Sequence, residues 1–505
     1  MTISDALPTR KPTLKEVRLR EQFNLAQRLY SQENYSDSAK VCAKILMSTP
    51  AEFNVLLLQG VSLYKSNQFD DSLLILSKCI GLNPKSAEAY FHLGAVNTLL
   101  TKNNEALDNY TAAIAINPSY LEAVVELAKL YFDTGKLQLA ETTCNKALTI
   151  DPHCLECLNI LGLINSSKNT EVAKSFFTKA VNHNLHYAPA RYHLSKLQIQ
   201  TGEYAAGWEN FEHRFASGFA DYHNIALRHW NGLTPLDGKT VYVCADSTLA
   251  DTILLSRFLP LLQTTFGVDK VIFSCPAPLV KLLGKSMPTV KVVEDVYPPK
   301  NIPPFDSFDA FLPLGSLPRA FKTSIYTVPP TPYLYTNLSL PNLPTETAGI
   351  IHTYQKLNIG VCLSGLESQQ RIDALSLLKL SKIKSFEITD LSVYSTNFVE
   401  VCDDYYKLAA VLQQFACVAT SDNVVAHLAG SLGVPTLLLN SKPCNFIWLE
   451  GQDYSPWYSS MRVINQTNKW SSVVKQAKYL LADFVKGKRF LNPPKNMWKD
   501  PAILD

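Results

Sequence analysis

The chain has 505 residues, of which 47% are hydrophobic and 18% are charged, a balance typical of folded globular proteins. The formal net charge is only +3 and the basic residues form no dense stripe, which argues against nucleic acid as a partner. The first ten residues contain no apolar core of a signal peptide, and no later run approaches the roughly 18 apolar residues of a membrane span. We therefore expect a cytoplasmic protein without a membrane span.

The 11 cysteines are scattered through helical and strand patterns and show no spacing typical of disulfides or metal ligands. Cys154 and Cys157 form a CxxC pair on a helical segment, but no second pair completes a zinc site. We interpret both as small buried residues, with a zinc or redox role as the alternative. The sequence predicts no metal site and no cofactor.

The first 215 residues repeat with an interval of 34 residues. Each recurring proline ends the second helix of a pair, because it lacks an N–H and forces the preceding residue out of helical geometry. The recurring small residues let neighbouring helices approach closely. The recurring residues are Pro50, Pro84, Pro118 and Pro152; Ser38, Ser72, Ala106 and Ala140; and Gly60, Gly94, Ala128 and Gly162. This pattern resembles the tetratricopeptide repeat.

The repeats predict six helix pairs, with a shortened turn at Ser166 to Thr170 in the fifth. A solenoid of such pairs presents a concave surface that can hold an extended or helical peptide. The sixth pair ends in GWENFEHRF, whose large aromatic and charged side chains predict packing against another domain. The predicted pairs span residues 15–48, 51–82, 85–116, 119–150, 153–184 and 187–215.

From Lys239 onward, apolar runs alternate with helical segments, as in buried parallel strands joined by helices. The predicted strands are TVYVCA, VIFSC and VKVV and, beyond an irregular proline-rich stretch from Tyr297 to Pro344, LNIGVCLS, FEITDL and FVEVCD. Helices are predicted over TILLSRFLPLLQTTFG, over PLVKLLGK, from Asp404 to Gln414 and from Trp470 to Lys486, the last bracing both αβ blocks. Two such blocks predict two similar domains that face each other across a cleft.

The predicted fold class is therefore an N-terminal α-solenoid followed by two α/β domains. Its parts are a repeat solenoid at 13–215, a linker at 216–237, a first α/β domain at 238–345, a second at 346–485 and a tail at 486–505.

The stretch from Phe415 to Asn440 predicts a strand, a polar turn from Thr420 to Asn423, and a helix that Gly433 ends. The N terminus of such a helix binds a phosphate or diphosphate readily, because its N–H groups are free and the helix dipole is positive there. Any parallel α/β protein contains such units, so ordinary structure is the alternative. Aromatic residues follow the next strand, at Trp448, in DYSPWY and at Trp470, where open sheets bind ligands.

The run from Ser421 to Arg462 is similar to the C-terminal half of bacterial tetratricopeptide-repeat glycosyltransferases, which are related to the ADP-heptose lipopolysaccharide heptosyltransferase type. The segments GW…FEHRF, WNG…LDGK and FDAFLPLGSLP also resemble that family, so the resemblance covers nearly the whole chain. It implies two Rossmann-like domains in the GT-B arrangement, the first on the acceptor side and the second on the nucleotide-sugar side.

The resemblance implies an enzyme that moves a sugar from a nucleotide-sugar donor to an acceptor. Asp251 is the implied catalytic base, with Asp246 and Thr252 in the same acceptor-side loop. A helix N-cap is the alternative role for Asp251. A core histidine is the alternative for His427, and a structural aromatic cluster is the alternative for the residues from Ser455 to Tyr458. The implied donor-binding residues are Arg371, Ser421, Asp422, Asn423, Val424, His427, Ser455, Trp457 and Tyr458.

The chain departs from the family pattern at three places. Thr248 and Ala250 replace glycines, Gln370-Arg371 replaces an Arg-Ser pair, and Asn445-Phe446-Ile447 replaces Asp-Trp-Arg. Each change narrows the approach to a ligand or removes a charged contact, and a charge-assisted hydrogen bond contributes about 1.5–3 kcal/mol.

Two functions stay open from the sequence. The first is a soluble, metal-independent glycosyltransferase whose repeats hold a polypeptide acceptor. The second is a protein-binding scaffold in which the repeats recruit a partner and the transferase-like part is weak or inactive. Either is compatible with a homo-oligomer formed through the first or last repeat helices.

Overall fold

The computed structural model describes residues 13–218, 229–230, 232, 234–295, 307–329, 331–338, 357–363, 386–391, 404–442, 444–466 and 469–485. The chain divides into two compact units, Met1–Leu185 and His186–Asp505. The two units are described separately below.

The first unit is built from paired helices, each packed on its partner and on the next pair. This arrangement is a repeat solenoid and confirms the first five predicted helix pairs. The helices are α1 (Leu14–Ser31), α2 (Tyr35–Leu46), α3 (Phe53–Lys65), α4 (Phe69–Leu82), α5 (Ala87–Leu99), α6 (Asn103–Ile116), α7 (Leu121–Asp133), α8 (Leu137–Ile150), α9 (Leu155–Ser166) and α10 (Thr170–His183).

The recurring glycine lies where the two helices of a pair touch. A Cβ atom on Gly94 in α5 would lie 2.8 Å from Cδ1 of Tyr110 in α6, so only a hydrogen fits there. In the repeat that carries Ala128, the matching residue on the second helix is the smaller Cys144, and both are fully buried in one cluster. The change from glycine to alanine is thus matched by a smaller partner.

The recurring serines are small residues that also form a hydrogen bond between the two helices of a pair. Ser38 and Ser72 are fully buried, and their hydroxyls donate to backbone carbonyl oxygens of the first helix of the pair, Ala26 at 2.9 Å and Gly60 at 2.7 Å. The shortened turn of the fifth pair is also confirmed, because α10 begins at Thr170, one residue earlier than the 34-residue interval predicts.

The second unit begins with the sixth helix pair, α11 (Ala188–Gln200) and α12 (Tyr204–Phe211), followed by a 3₁₀ turn at Glu212–Arg214. Tyr204, Trp208 and Phe211 are buried in the same core cluster as residues of the two sheets that follow. This confirms the prediction that the sixth pair packs against another part of the fold, since its aromatic side chains are shared with that core.

The first sheet of the second unit has four parallel strands in the order β3-β2-β1-β4. The helix predicted over TILLSRFLPLLQTTFG is divided by a 3₁₀ turn before Pro260, which lacks the N–H that a continuous helix needs. Strand β4 lies inside the stretch that the sequence predicted as irregular. The strands are β1 (Thr240–Cys244), β2 (Lys270–Cys275), β3 (Val290–Glu294) and β4 (Ala310–Pro313), and the helices are α13 (Leu249–Leu255), α14 (Leu261–Phe266), α15 (Ala277–Ser286) and α16 (Leu317–Ala320).

The second sheet has five parallel strands in the order β6-β5-β7-β8-β9. The segment FVEVCD, predicted as a strand, lies outside the described residues, and β9 was not predicted. The strands are β5 (Leu357–Cys362), β6 (Phe386–Asp390), β7 (Cys417–Ser421), β8 (Thr436–Asn440) and β9 (Met461–Asn465), and the helices are α17 (Tyr405–Leu412), α18 (Val424–Ser431) and α19 (Trp470–Val485).

The core of the second unit has two main parts. The larger cluster includes α13 and α18 and joins the facing sides of the two sheets. The smaller one covers the other face of the second sheet, where Trp470, Val473 and Ala477 of α19 pack. Within the described residues α19 packs on β8 and β9 of the second sheet, and its bracing of both blocks stays a prediction.

Among the described residues, no helix combines the length and the apolar character that crossing a membrane requires.

Candidate functional site

Each sheet has one place where the strand order reverses, and open α/β sheets bind ligands beyond the carboxyl ends of the strands at that place. In the first sheet the reversal lies between β1 and β4. In the second sheet it lies between β5 and β7. The residues that follow these strands form the candidate site.

The loop after β7 differs from the predicted turn. The strand continues to Ser421, which is only 2% exposed, so its hydroxyl does not line an open surface. Asn423 is the N-cap of α18, and its Oδ1 accepts hydrogen bonds from the amides of Val425 at 2.9 Å and Ala426 at 3.3 Å. Two amides of the predicted phosphate site are therefore already satisfied within the chain, because asparagine is among the strongest N-cap residues.

Asn423 also reaches across the reversal of the second sheet. Its Nδ2 donates to Cys362 Sγ at the end of β5, at 3.7 Å, and to the Ser421 hydroxyl at 3.1 Å. Asp422 and Val424 on either side are half-buried, so this loop keeps a partly open edge.

His427 lies in the core. It is 1% exposed and stacks on Trp448 with ring centroids 5.2 Å apart. Its Nδ1 lies 3.0 Å from the Tyr458 hydroxyl, and its Nε2 lies 3.7 Å from Oδ1 of Asp422. The structure thus places His427 as a core histidine rather than on a donor-facing wall, and the half-buried Asp422 is the more accessible end of this set of contacts.

Ser455, Trp457 and Tyr458 are also buried, at 2%, 0% and 0% exposure. The Trp457 indole N–H donates to the Ile447 carbonyl oxygen at 3.1 Å, and the Ser455 hydroxyl accepts from the Trp457 amide at 3.1 Å. These side chains form the structural aromatic cluster that was the alternative to a donor-binding wall. Because they are buried, these side chains would support the residues that contact a ligand and would not contact the ligand themselves.

Arg257, which the sequence analysis did not single out, is enclosed by this cluster. The residue is 3% exposed, and its Nη1 donates to the carbonyl oxygens of Trp457 at 2.6 Å and Pro329 at 3.0 Å. Its guanidinium lies over the rings of Tyr333 at 4.5 Å and Tyr458 at 5.0 Å, which favours a cation. The sequence signal was a single arginine inside the apolar run ILLSRFLPLL.

Asp251 lies at the start of α13. The N-cap of this helix is Thr248, whose hydroxyl accepts from the Asp251 amide at 3.1 Å, so the alternative role of Asp251 as N-cap is wrong. The Asp251 Oδ2 accepts from the hydroxyls of Ser247 at 2.5 Å and Thr248 at 2.8 Å. The carboxylate is partly exposed, whereas Thr252 is 1% exposed and donates to the Thr248 carbonyl oxygen, which removes Thr252 from any acceptor-facing surface.

Asp246 occupies the reversal of the first sheet and is paired there. Its Oδ2 accepts from Nη2 of Arg214 at 2.7 Å and from Nε at 3.0 Å, and its Oδ1 accepts from the Gly315 amide, beyond β4, at 2.8 Å. Arg214 Nη2 also donates to the Ser316 hydroxyl at 2.9 Å. The Arg214 side chain, from the 3₁₀ turn after α12, thus occupies the reversal between β1 and β4, and Asp246 does not face an acceptor.

The charge balance at Asp246 follows from its burial. Burial raises the pKa of the Asp246 carboxyl, while the Arg214 guanidinium and the Gly315 amide lower it in part. The carboxylate therefore depends on Arg214 for its charge, and the pair acts as one unit.

Helices α13 and α18 pack together, and the contacts at Tyr333 show how they are aligned. The Tyr333 hydroxyl donates to the Ile253 carbonyl oxygen in α13 at 2.8 Å, and the Tyr333 amide donates to the Ser431 carbonyl oxygen at the end of α18 at 3.1 Å. Both helices therefore end near Tyr333. Asp251 lies in the first turn of α13, and Asn423 is the N-cap of α18.

Arg371, the last predicted donor-binding residue, lies outside the described residues. Within the described ranges, no group of three or more His, Cys, Asp or Glu side chains is placed to hold a metal ion. Cys154 and Cys157 are buried beside Cys144. The contact with Cys157, together with burial, raises the pKa of the Cys154 thiol, and the contact with Cys144, together with burial, raises the pKa of the Cys157 thiol, as expected for small core residues.

Comparison with known proteins gives matches to repeat proteins and to peptide glycosyltransferases. Residues 99–164 match the family model of the tetratricopeptide repeat. The chain is 27% identical over 136 residues to a probable UDP-N-acetylglucosamine–peptide N-acetylglucosaminyltransferase SPINDLY of Hordeum vulgare, a match that covers 25% of this chain and 14% of that protein. It is 29% identical over 93 residues to a UDP-N-acetylglucosamine–peptide N-acetylglucosaminyltransferase of Giardia intestinalis, covering 18% of this chain and 6% of that protein.

Among solved structures, the chain is similar to a MamA protein, with 24% identity, a TM-score of 0.31 and coverage of 34% of this chain and 93% of that chain. It is also similar to the tetratricopeptide-repeat protein YrrB, with 16% identity, a TM-score of 0.30 and coverage of 35% and 91%. Together with the paired helices at a 34-residue interval, the family match identifies the first unit as a solenoid of tetratricopeptide repeats.

Proposed function

We propose that this protein is a glycosyltransferase that acts on polypeptides. The repeats hold the acceptor, and the second unit binds a nucleotide sugar between two Rossmann-like domains in the GT-B arrangement. The observation that carries the proposal is the packing of α13 on α18, two helices that each follow a strand at a sheet reversal, where open α/β sheets bind ligands.

The curated relatives support the same class of reaction, since both are described as transferring N-acetylglucosamine from a UDP sugar to a peptide. The matches span 14% and 6% of those proteins, so the donor is part of the proposal. UDP-N-acetylglucosamine is the first donor to test, and an ADP-linked heptose, implied by the resemblance to heptosyltransferases, is the second.

Asp251 is the proposed catalytic base. Its carboxylate is partly exposed and is oriented by two hydroxyl donors, Ser247 and Thr248. It would accept the proton of the acceptor hydroxyl while the acceptor oxygen bonds to the anomeric carbon and the nucleoside diphosphate leaves with the bonding electrons. We propose that this direct displacement needs no metal ion and takes place in the cytoplasm.

The donor side is proposed to consist of the partly open loop after β7. Asp422 and Val424 lie on its half-buried edge, and Asn423 holds the loop through its cap. Arg371 stays in the proposal as a cation for the diphosphate. The buried residues Ser421, His427, Ser455, Trp457 and Tyr458 would fix the shape of the loop without touching the sugar.

A second candidate is a scaffold that binds a partner through the repeats and no longer transfers sugar. Two observations favour it: the Asn423 side chain caps amides that a diphosphate would need, and Arg214 fills the crevice at Asp246. A nucleotide sugar would have to compete with these internal contacts.

Thermal unfolding with and without nucleotide sugars separates the two candidates. A donor present at about 100 times its Kd should add about 2.7 kcal/mol to the free energy of unfolding of the second unit. We expect UDP-N-acetylglucosamine to raise that transition, and ADP-, GDP- and CMP-sugars serve as the comparison panel. If none of these raises it, the scaffold is the function.

Asp251→Asn tests the catalytic role directly. We expect it to abolish transfer of labelled sugar to a mixed peptide library while leaving donor binding unchanged, because the amide cannot accept the proton. Asp269→Asn, at an exposed position after α14, is the matched control. Unchanged transfer by Asp251→Asn would remove that residue from the mechanism.

A further inference from the structure

The first unit contains a groove between α7 and α9, the first helices of two successive repeats. Its volume is about 340 Å³, which is at the small end for ligand pockets and suits one or two side chains rather than a cofactor. The side chains of Val125 and Leu155 give it an apolar part. We call this feature the α7/α9 groove.

The charged residues of the α7/α9 groove are unbalanced. Glu122, Glu126, Asp151 and Glu156 supply four carboxylates, and Lys129 supplies the single ammonium group. That ammonium group is already paired with Glu126 Oε1 at 2.7 Å. Glu122 and Glu156, one on each side of the groove, are exposed. The groove therefore presents a net negative charge to a partner.

Lys129 shows that the groove favours a cationic side chain. Burial lowers the pKa of its half-buried ammonium group, but the hydrogen bond and charge of Glu126, together with the charge of Glu156, outweigh burial and raise the pKa overall. A lysine of the chain itself is thus stabilised as a cation between the carboxylates. A cationic group from a partner would meet the exposed carboxylates of Glu122 and Glu156, whereas Lys129 pairs with Glu126.

The negative charge also continues along the solenoid. Glu88, Glu122 and Glu156 are the second residues of α5, α7 and α9 and recur at the 34-residue interval. Since each occupies the same position in its repeat, the three carboxylates follow one line along successive helices. An extended chain lying along this line would meet a carboxylate in each of these three successive repeats.

We propose that the α7/α9 groove binds a basic, extended segment of a partner polypeptide, with one Lys or Arg side chain between Glu122 and Glu156. The stem of that side chain lies on Val125 and Leu155, and its charged head pairs with the carboxylates. The line of glutamates attracts the basic segment and aligns it along the successive repeats. This inference rests on the proposed function only in that the partner of the repeats is a polypeptide.

The test measures fluorescence anisotropy of two labelled peptides with the full-length chain. One contains repeating Gly-Ser-Arg units and the other repeating Gly-Ser-Glu units. We expect binding of the basic peptide alone, weakened but still measurable when NaCl is raised from about 0.05 M to about 0.15 M. Equal binding of both peptides, or loss of all binding at the higher salt, would overturn the proposal.

Variants locate the binding site. The double change Glu122→Gln and Glu156→Gln should weaken binding of the basic peptide by about tenfold, since each exposed charge contact contributes modestly. The matched control is the double change Glu33→Gln and Glu105→Gln, which neutralises two exposed glutamates of the same unit outside the groove. An equal loss in the control would show that the peptide follows overall charge rather than this groove.

The same samples separate this proposal from the proposed function. The groove double variant should keep the thermal response to UDP-N-acetylglucosamine, because its changes lie in the first unit. Peptide binding without any response to a nucleotide sugar would uphold the groove and reject the transferase. A thermal response to a nucleotide sugar with no binding of the basic peptide would uphold the transferase and reject the groove.

Discussion

At the scale of single residues, Arg214 and Asp246 form a buried ion pair in the second unit. Arg214 is 3% exposed, and its guanidinium satisfies Asp246, Glu212 and Ser316 at once. It also lies over the rings of Phe211 and Phe215. Such a pair contributes little compared with a well-packed apolar cluster, but breaking one side of it is costly, because the other charge stays buried.

We predict that Asp246→Asn lowers the free energy of unfolding of the second unit by about 2–3 kcal/mol, because Glu212 alone then balances Arg214. Urea unfolding followed by tryptophan fluorescence measures the change. Glu209→Gln is the control, since Glu209 pairs with Arg319 at 2.6 Å between α12 and α16 but is 61% exposed. The Glu209→Gln change should lower the free energy of unfolding by at most about 1 kcal/mol. Similar losses in the two variants would contradict the buried pair's role.

The strands and helices that carry the candidate site residues were largely predictable from the sequence, but the exposure of those residues was not. Asp246, Ser421 and His427 lie at the ends of the strands or in the helix where a ligand site was expected. Asp246 and His427 are covered by side chains from elsewhere in the chain, Arg214 at Asp246 and Trp448 at His427. Such a partner is distant in sequence, and no local pattern reveals it.

At the scale of elements, helix pairs in the solenoid depend on close contact at the recurring glycine. In α5, Gly94 lies against the ring of Tyr110, which has no room to move because it is 1% exposed and bonded to Thr98. By contrast, Gly81 near the end of α4 has nothing within 4 Å of an added Cβ. The same substitution should therefore have opposite effects at the two positions.

We predict that Gly94→Ala lowers the free energy of unfolding of the first unit by about 1–3 kcal/mol through overpacking. Gly81→Ala should raise it by about 0.5–1 kcal/mol, because alanine is the better helix former. Thermal or urea unfolding monitored by helical circular dichroism measures both. A stabilising Gly94→Ala would show that α5 and α6 can separate without cost.

Most elements of the solenoid could be predicted, because the period of 34 residues marks every helix pair. The strands of the two sheets were harder to predict from the sequence. Strand β4 has only four residues and lies inside the proline-rich stretch, and β9 follows an aromatic-rich loop, so neither was recognised as a strand. The single helix expected before β2 is broken at Pro260, a signal that the sequence did contain.

At the scale of the whole molecule, the division falls between the fifth and sixth helix pairs. The period of the repeats groups all six pairs together, which is why the sequence placed the boundary at residue 215. Packing groups the sixth pair with the sheets, because Tyr204 and Trp208 lie against Trp457 and the Gln200 carbonyl oxygen accepts from the Glu450 amide at 2.9 Å. Sequence period and tertiary contact give different boundaries.

Two truncated chains test this division. We predict that residues 186–505 alone retain a cooperative unfolding transition with near-native near-ultraviolet circular dichroism. Residues 216–505 should lose it, because the truncation removes Tyr204, Trp208 and Arg214 from the core. Equal melting temperatures for the two chains would mean that the sixth pair is only attached to the sheets.

The occupied crevice at Asp246 also constrains how such a protein can evolve. If either Arg214 or Asp246 were lost, the other would be left as an unpaired buried charge, so the two positions must change together. The turn after α12 and the end of β1 are therefore inherited as one unit.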